Sequence, residues 1–278
     1  MAAIVVAGLL AIHIGFKAPR RVERGNPEEY DLNYEDIWIP GVADKQLFAW
    51  WLPVAGSDSS IIILHGWGGN AELMLPLAGP LHQAGLNVLL LDARSHGQSD
   101  TAGFSSMPRF AEDADAAIDW LKTYKTESAS RLALLGHSVG AGAVLLAASR
   151  RNDISAVISI AAFAHPDSMM RSYLDRFRMP EIVKSSVLRY VEWVIGHQFN
   201  DIAPMNRLRH VQCPVLLVHG TDDDTVPVTD VHLIHENGTG KKSELLLIEG
   251  AGHGSVDKIK QHADELIAFL QRVMPIQA

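Results

Sequence analysis

The sequence has little cysteine and no excess of positive charge. Cys213 is the only cysteine among 278 residues, so the chain cannot form an intrachain disulfide, and it has no C-x-x-C motif of the kind that binds structural zinc. The formal net charge of -8 provides no basic face for the phosphate backbone of DNA or RNA. These absences exclude a disulfide-stabilised scaffold and argue against a nucleic-acid partner.

The N-terminus carries an apolar stretch that is short for a membrane span. Residues 2–16 (AAIVVAGLLAIHIGF) contain no charge, and Lys17, Arg20, Arg21 and Arg24 follow them. A transmembrane helix needs roughly 20 apolar residues, and a cleavable signal peptide has its basic residues before the apolar run rather than after it. We therefore expect one of two arrangements: a membrane anchor or membrane-surface attachment with the rest of the chain on the cytoplasmic side, or packing on the chain's own surface or on a partner chain.

The remaining composition is that of an ordinary globular protein. Hydrophobic residues make up 47% and charged residues 20% of the chain, and we find no internal repeat or low-complexity linker. A chain of this length can form a single α/β domain. We expect an N-terminal segment over residues 1–24 and one domain over residues 25–278.

The hydrophobic pattern predicts alternating strands and helices. Two segments, 34–39 and 46–52, are separated by Pro40-Gly41 and predict an antiparallel start. Continuous apolar runs, which are typical of strands buried on both faces, follow at 61–64, 88–91, 132–135, 157–160, 215–218 and 245–248. Helical spacing occurs at 71–84, 108–124, 139–150 and 257–273. This order predicts an α/β fold with a mostly parallel, doubly wound sheet and functional residues beyond the carboxyl ends of its strands.

One connection is far too long for a simple crossover. About 50 residues separate the strand that ends near residue 160 from the one that begins at 215, where about 2 to 6 are usual. We interpret the insert, about 163–212, as a helical cap, with additional core as the alternative. The apolar side chains expected to line a substrate pocket are Met169, Met170, Tyr173, Phe177 and Trp193.

A nucleophile motif lies at the end of a predicted strand. Gly136-His137-Ser138-Val139-Gly140 fits the pattern G-x-S-x-G, and it opens a predicted helix. The glycines permit a sharp turn that exposes the serine hydroxyl at the helix N-terminus, where the helix dipole favours negative charge. We predict Ser138 as the nucleophile.

On these residues the chain resembles the α/β-hydrolase superfamily, in particular its small bacterial esterases and lipase-like members, over about residues 34–273. The motif His65-Gly66-Trp67-Gly68-Gly69 resembles the oxyanion loop of that family. The resemblance implies that the backbone N–H groups of Trp67 and Val139 bind the oxyanion. A second family pattern, D-x-R-x-H-G-x-S, is matched by residues expected to brace the neighbouring loop: Asp92, Arg94, His96, Gly97 and Ser99.

The same resemblance implies the acid and the base. The family form H-G-x-x-D-x-x-V-P fits residues 219–227 and selects Asp223 from three adjacent aspartates, with Asp222 as the alternative. His253 occupies the G-x-G-H position after the last predicted strand. Their order, serine before aspartate before histidine, is the one expected of this fold.

The implied activity is hydrolysis of small carboxylic esters of short to medium acyl chain through an acyl-enzyme, without a metal or organic cofactor. Thioesters and peptide-like amides can be cleaved by the same triad, so a thioesterase or a serine peptidase is an alternative. A non-catalytic binding protein of the same fold is the alternative from another class. The sequence makes no prediction of oligomeric state.

Overall fold

A computed structural model describes residues 15, 17–238 and 243–274, and a sheet of eight strands forms its centre. The strands are β1 (Glu35–Pro40), β2 (Gln46–Leu52), β3 (Ser59–Leu64), β4 (Asn87–Leu91), β5 (Arg131–His137), β6 (Ala156–Ile160), β7 (Val215–Gly220) and β8 (Ser243–Ile248). Their order in the sheet is β1-β2-β4-β3-β5-β6-β7-β8. β2 runs antiparallel to both β1 and β4, and every other neighbouring pair is parallel, so the antiparallel start and the mostly parallel sheet are both confirmed.

Most helices connect successive strands, and the last two follow β8. The helices are α1 (Leu75–Gln83), α2 (Met107–Tyr124), α3 (Val139–Ala148), α4 (Pro166–Asp175), α5 (Glu181–Ile195), α6 (Phe199–Ile202), α7 (Pro204–Arg207), α8 (Val228–Asn237), α9 (Val256–Lys260) and α10 (Ala263–Val273). The prediction missed α8, and it was wrong in treating 257–273 as one helix, because the chain breaks between α9 and α10 at residues 261–262.

The sheet is covered on both faces, which explains its continuous apolar strands. Successive residues of β3 point to opposite sides: Ile62 joins a core with α2 and α3, whereas Ile61 joins a core with α1 and α10. All six residues of β3 and all five of β4 are buried. This three-layer arrangement confirms the predicted α/β class.

The long connection between β6 and β7 forms α4 to α7. Leu174, Leu188, Val191 and Phe199 of this insert are buried and belong to the core that also holds α2 and α3. The insert therefore contributes to the core, and its role as a cap stays a prediction.

Residues 2–16 lie outside the described part of the chain except for Gly15, so their predicted membrane or partner contact is not tested. Among the helices that the structure describes, none has the length and apolar character needed to cross a bilayer.

Candidate active site

The turn between β5 and α3 holds Ser138 in a strained conformation. Its φ of 56° and ψ of −117° lie outside the regions that non-glycine residues usually occupy. The Ser138 N–H donates to the carbonyl of Ile160 at the end of β6, 2.8 Å away. A Cβ atom on Gly140 would lie 2.4 Å from the carbonyl oxygen of His65, which directly follows β3. Only glycine at this position therefore allows the end of β3 to come so close to the turn. The sharp turn predicted from G-x-S-x-G is present.

The predicted nucleophile, base and acid meet at the carboxyl ends of three strands. Nε2 of His253 lies 2.9 Å from Oγ of Ser138, and Nδ1 of His253 lies 2.8 Å from Oδ2 of Asp223. Both separations are hydrogen-bond distances, so the hydroxyl, the imidazole and the carboxylate form a continuous chain.

The Asp223 carboxylate accepts several hydrogen bonds. Its Oδ1 accepts from the N–H groups of Thr225 and Val226, at 2.9 and 2.8 Å. Burial alone would raise the pKa of Asp223, but hydrogen bonds from His219, His253 and Val226 outweigh it and hold that pKa below its ordinary value. The carboxylate is therefore ionised at neutral pH and can stabilise a positively charged imidazole.

The two neighbouring aspartates lack this environment. Asp222 and Asp224 are exposed, and their carboxylates accept from the hydroxyls of Thr221 and Thr225. The structure thus brings Asp223, and not the alternative Asp222, to the imidazole.

Two further histidines contact the predicted acid and base, and the sequence analysis assigned them no such role. Nε2 of His219 lies 2.9 Å from the carbonyl of Val226 and 3.4 Å from Oδ2 of Asp223. Nε2 of His137 donates to the backbone carbonyl of His253 over 2.8 Å. His137 is half-buried, and burial lowers its pKa to about 4, so it is neutral at pH 7. No sequence signal identifies these contacts, because each joins segments far apart in the chain or depends on loop geometry.

The loop after β3 lies against the nucleophile turn. A Cβ atom on Gly66 would be 3.1 Å from Cβ of Ser138. Within the described residues, the N–H of Gly69 donates to the carbonyl of Gly66 and that of Gly68 to Nε2 of His96, whereas the N–H of Trp67 has no acceptor among them. The N–H of Val139, at the start of α3, has none among these residues either. Both predicted oxyanion donors are therefore free to bind a ligand.

The buried imidazole of His65 holds the start of this loop in place through both of its ring nitrogens. His65 is 1% exposed; its Nδ1 lies 2.7 Å from the carbonyl of Gly66, and its Nε2 accepts from the N–H of Ala93 at 3.1 Å. Burial, with a smaller contribution from His96, lowers the pKa of His65 to about 3. A neutral imidazole is the form that can both donate and accept here.

The loop after β4 has the bracing contacts expected of the D-x-R-x-H-G-x-S pattern. Oγ of Ser99 donates to the carbonyl of Asp92 at 2.7 Å and accepts from the N–H of Phe48 at 2.8 Å. Asp92 in turn accepts from the N–H groups of Ala71 and Gln98, both at 2.8 Å. This loop therefore joins β2, β4 and the oxyanion loop.

The five predicted pocket residues differ in exposure. Met169 and Met170 are half-buried and pack against the core. Tyr173 and Phe177 are each 58% exposed and contact one another edge to face, and Trp193 is 76% exposed. Their role in a pocket stays a prediction, and their exposure favours the two methionines over Trp193. No group of side chains suited to hold a metal ion occurs in the described ranges.

Comparison with known proteins identifies the family of the chain. Residues 56–206, more than half of the chain, match the family model described as serine aminopeptidase, S33, a span that includes Ser138 but ends before Asp223. The uncharacterized protein YfhR of Salmonella typhimurium is 26% identical over 259 residues, which are 86% of this chain and 82% of that protein. An uncharacterized protein of Mycobacterium tuberculosis is 27% identical over 222 residues, 78% of this chain and 72% of that one.

Solved structures show the same fold. The esterase Pf2001 of Pyrococcus furiosus superposes with a TM-score of 0.76 at 25% identity, covering 93% of this chain and 98% of that one. Est1E of Butyrivibrio proteoclasticus, solved with ferulic acid, superposes with a TM-score of 0.65 at 20% identity, covering 84% and 98%. The predicted α/β-hydrolase fold is confirmed.

Proposed function

The chain belongs to the serine aminopeptidase S33 family of α/β hydrolases, and we propose that it is a carboxylesterase with Ser138 as nucleophile, His253 as general base and Asp223 as the orienting acid. The observation that carries the proposal is the hydrogen-bonded chain from the Ser138 hydroxyl through both ring nitrogens of His253 to Asp223. The family supports a hydrolase, and the triad residues and the ester substrate are the proposed parts.

Acylation begins with the serine hydroxyl. As Oγ of Ser138 bonds to the ester carbonyl carbon, its proton passes to Nε2 of His253, and the carbonyl oxygen becomes an oxyanion. The free N–H groups of Trp67 and Val139 donate to that oxygen. Such a donor can contribute about 2.7 to 4 kcal/mol of transition-state stabilisation. The C–O bond to the leaving alcohol then breaks, and the alkoxide takes the proton from His253.

Deacylation repeats the sequence with water. His253 removes a proton from the water that attacks the acyl-serine, and it returns the proton to Oγ of Ser138 as the acid leaves. Throughout, Asp223 accepts the hydrogen bond of Nδ1 and keeps the proton off Nε2 in the resting enzyme. This fixed tautomer is what makes Nε2 the base.

Esters are favoured over amides as substrates by the structural neighbours. Pf2001 is named an esterase, and it matches this chain over nearly its whole length. The name of the family model supports a serine peptidase as a second candidate. Both share the triad, so the leaving group distinguishes them.

The test is a substrate panel at fixed pH. Nitrophenyl esters of rising acyl length are compared with one thioester and one aminoacyl nitroanilide, using the full chain and its Ser138→Ala and His253→Ala variants. We expect the highest kcat/KM for an ester of short or medium acyl length and a loss of about 10³-fold or more in kcat in either variant.

Preference for the nitroanilide would replace the esterase by the peptidase. Turnover that survives Ser138→Ala in a correctly folded protein would exclude the proposed nucleophile. Circular dichroism of each variant provides the control for folding.

A further inference from the structure

The segment that precedes the first strand crosses the oxyanion loop. We call residues 17–25 the arm. A Cβ atom on Gly68 would lie 2.8 Å from Cγ of Pro19, so the arm packs directly on that glycine, whose φ is +67°. Nδ2 of Asn70 donates to the backbone carbonyl of Arg21 over 3.3 Å. The arm therefore touches the loop on the residue that follows Trp67 and again two residues later.

Glu72, which lies just before α1, fixes the C-terminal end of the arm. The carboxylate of Glu72 accepts from the N–H groups of Arg24 and Gly25, at 2.9 and 3.2 Å. These bonds orient the arm along the loop, but they use only backbone atoms of the arm.

Arg20 is the arm residue whose side chain is tied to a second loop. Its Nε donates to the carbonyl of Gly97 and one terminal nitrogen donates to the carbonyl of Ser99, both over 2.8 Å. This second loop also carries His96, whose Nε2 accepts from the N–H of Gly68. One guanidinium thus connects the arm to the loop that fixes the neighbour of Trp67.

An acidic pair lies where the arm meets the loop after β4: Glu23 belongs to the arm and Asp92 to that loop. Both carboxylate oxygens of Glu23 are buried without a hydrogen-bond donor among the described residues. Burial, and next the neighbouring Glu23, raise the pKa of Asp92. The raised pKa of Asp92 favours a proton shared between the two carboxyl groups, and the fork of hydrogen bonds from Arg20 to two backbone carbonyls attaches the arm independently of that proton.

We propose that Arg20 is a positioning residue that, by joining the arm to the carbonyls of Gly97 and Ser99, holds the oxyanion loop with the Trp67 N–H aimed at the oxyanion. This inference rests on the proposed esterase function. Because an oxyanion donor acts in the transition state, a loosened loop lowers kcat while substrate binding is little changed. Loss of an entire donor costs about 10²- to 10³-fold, so partial misplacement is expected to cost about tenfold.

The adjacent arginine provides a matched control. Arg20→Ala should lower kcat about tenfold and leave KM within about twofold. Arg21→Ala makes the same change in charge and size one residue away. Both arginines are exposed, but among the described residues Arg21 contacts the loop only through its backbone carbonyl, which the variant retains, so wild-type kcat is expected. Arg20→Lys retains a donor without the fork, and it should recover part of the loss and guard against misfolding of the alanine variant.

The readout is kcat and KM for the best nitrophenyl ester, together with inhibition by a trifluoromethyl ketone, which forms an oxyanion on the serine. Weaker inhibition of Arg20→Ala, in proportion to its loss of kcat, supports the proposal. Equal kcat in the Arg20→Ala, Arg21→Ala and wild-type proteins overturns it while leaving the esterase function intact. A wild-type protein that turns over none of the esters overturns the proposed function itself.

Discussion

The proton on each imidazole around the site can be assigned from what its two ring nitrogens contact. In His253 one nitrogen faces a carboxylate and the other a hydroxyl, so Nδ1 carries the proton and Nε2 is free to act as base. In His65 a carbonyl and an N–H are the partners, which again requires one proton on Nδ1. His65 is therefore a structural histidine by its contacts, and His253 is the one whose free nitrogen faces a nucleophile.

Protonation of His65 should destabilise the protein in acid. Its folded-state pKa of about 3 lies below the value of about 6.5 expected in the unfolded chain, so the unfolded state binds more protons between these limits. Stability is complete above pH 6.5 and is lost as the pH falls. From pH 7 to pH 5 the wild type should lose about 2 kcal/mol that a His65→Gln variant does not lose.

Urea unfolding at the two pH values measures this difference. His232→Gln removes an exposed histidine and should reproduce the pH dependence of the wild type. Parallel curves for wild type and His65→Gln would contradict the assignment of a neutral, buried imidazole.

At the scale of elements, the site depends on how closely the turn between β5 and α3 packs against the end of β3. The backbone carbonyls of Leu64 and His65 occupy the space that a side chain at residue 140 would need. Backbone atoms cannot move aside as the end of a flexible side chain can. The close contact of these two elements places Ser138 beside the oxyanion loop.

Gly140→Ala should therefore reduce both stability and turnover. The added methyl would lie 2.4 Å from one carbonyl oxygen and 2.6 Å from the other, and we expect a loss of about 1–3 kcal/mol in the free energy of unfolding. Gly79→Ala is the matched control, because Gly79 lies inside α1 with no non-neighbouring atom within 4 Å of the added methyl. Since Gly79 precedes Pro80, which disfavours the helical conformation of a residue with a Cβ atom, the gain in helix propensity is offset, and we expect a change of no more than about 0.5 kcal/mol. Equal stability of the two variants in urea would contradict this account of the turn.

Local patterns explain which elements were predictable. G-x-S-x-G is a short-range requirement of the Ser138 turn, and continuous apolar runs identify doubly covered strands, so both could be read from the sequence. The exposure of Tyr173 and Trp193 depends on how α4 and α5 pack on the domain, which periodicity does not encode. The hydrogen bond from Arg20 to Gly97 joins residues 77 positions apart in the sequence, so no local sequence pattern predicts it.

At the scale of the whole molecule, the parallel sheet is what assembles the site. Ser138, Asp223 and His253 follow β5, β7 and β8, and parallel strands bring their carboxyl ends to one edge although 115 positions separate the serine from the histidine. The choice of Asp223 from sequence depended on the resemblance to a family pattern. Its burial and its bond to His253 are properties of the folded chain.

The most direct test of the account is stoichiometric labelling with a fluorophosphonate, followed by mass spectrometry of the peptides. The serine hydroxyl attacks phosphorus only when it is activated, so we predict one label per chain, located on Ser138, absent from Ser138→Ala and slowed by several orders of magnitude in His253→Ala. A correctly folded wild-type protein that takes up no label, or takes it up at another residue, would contradict the central claim that His253 activates Ser138.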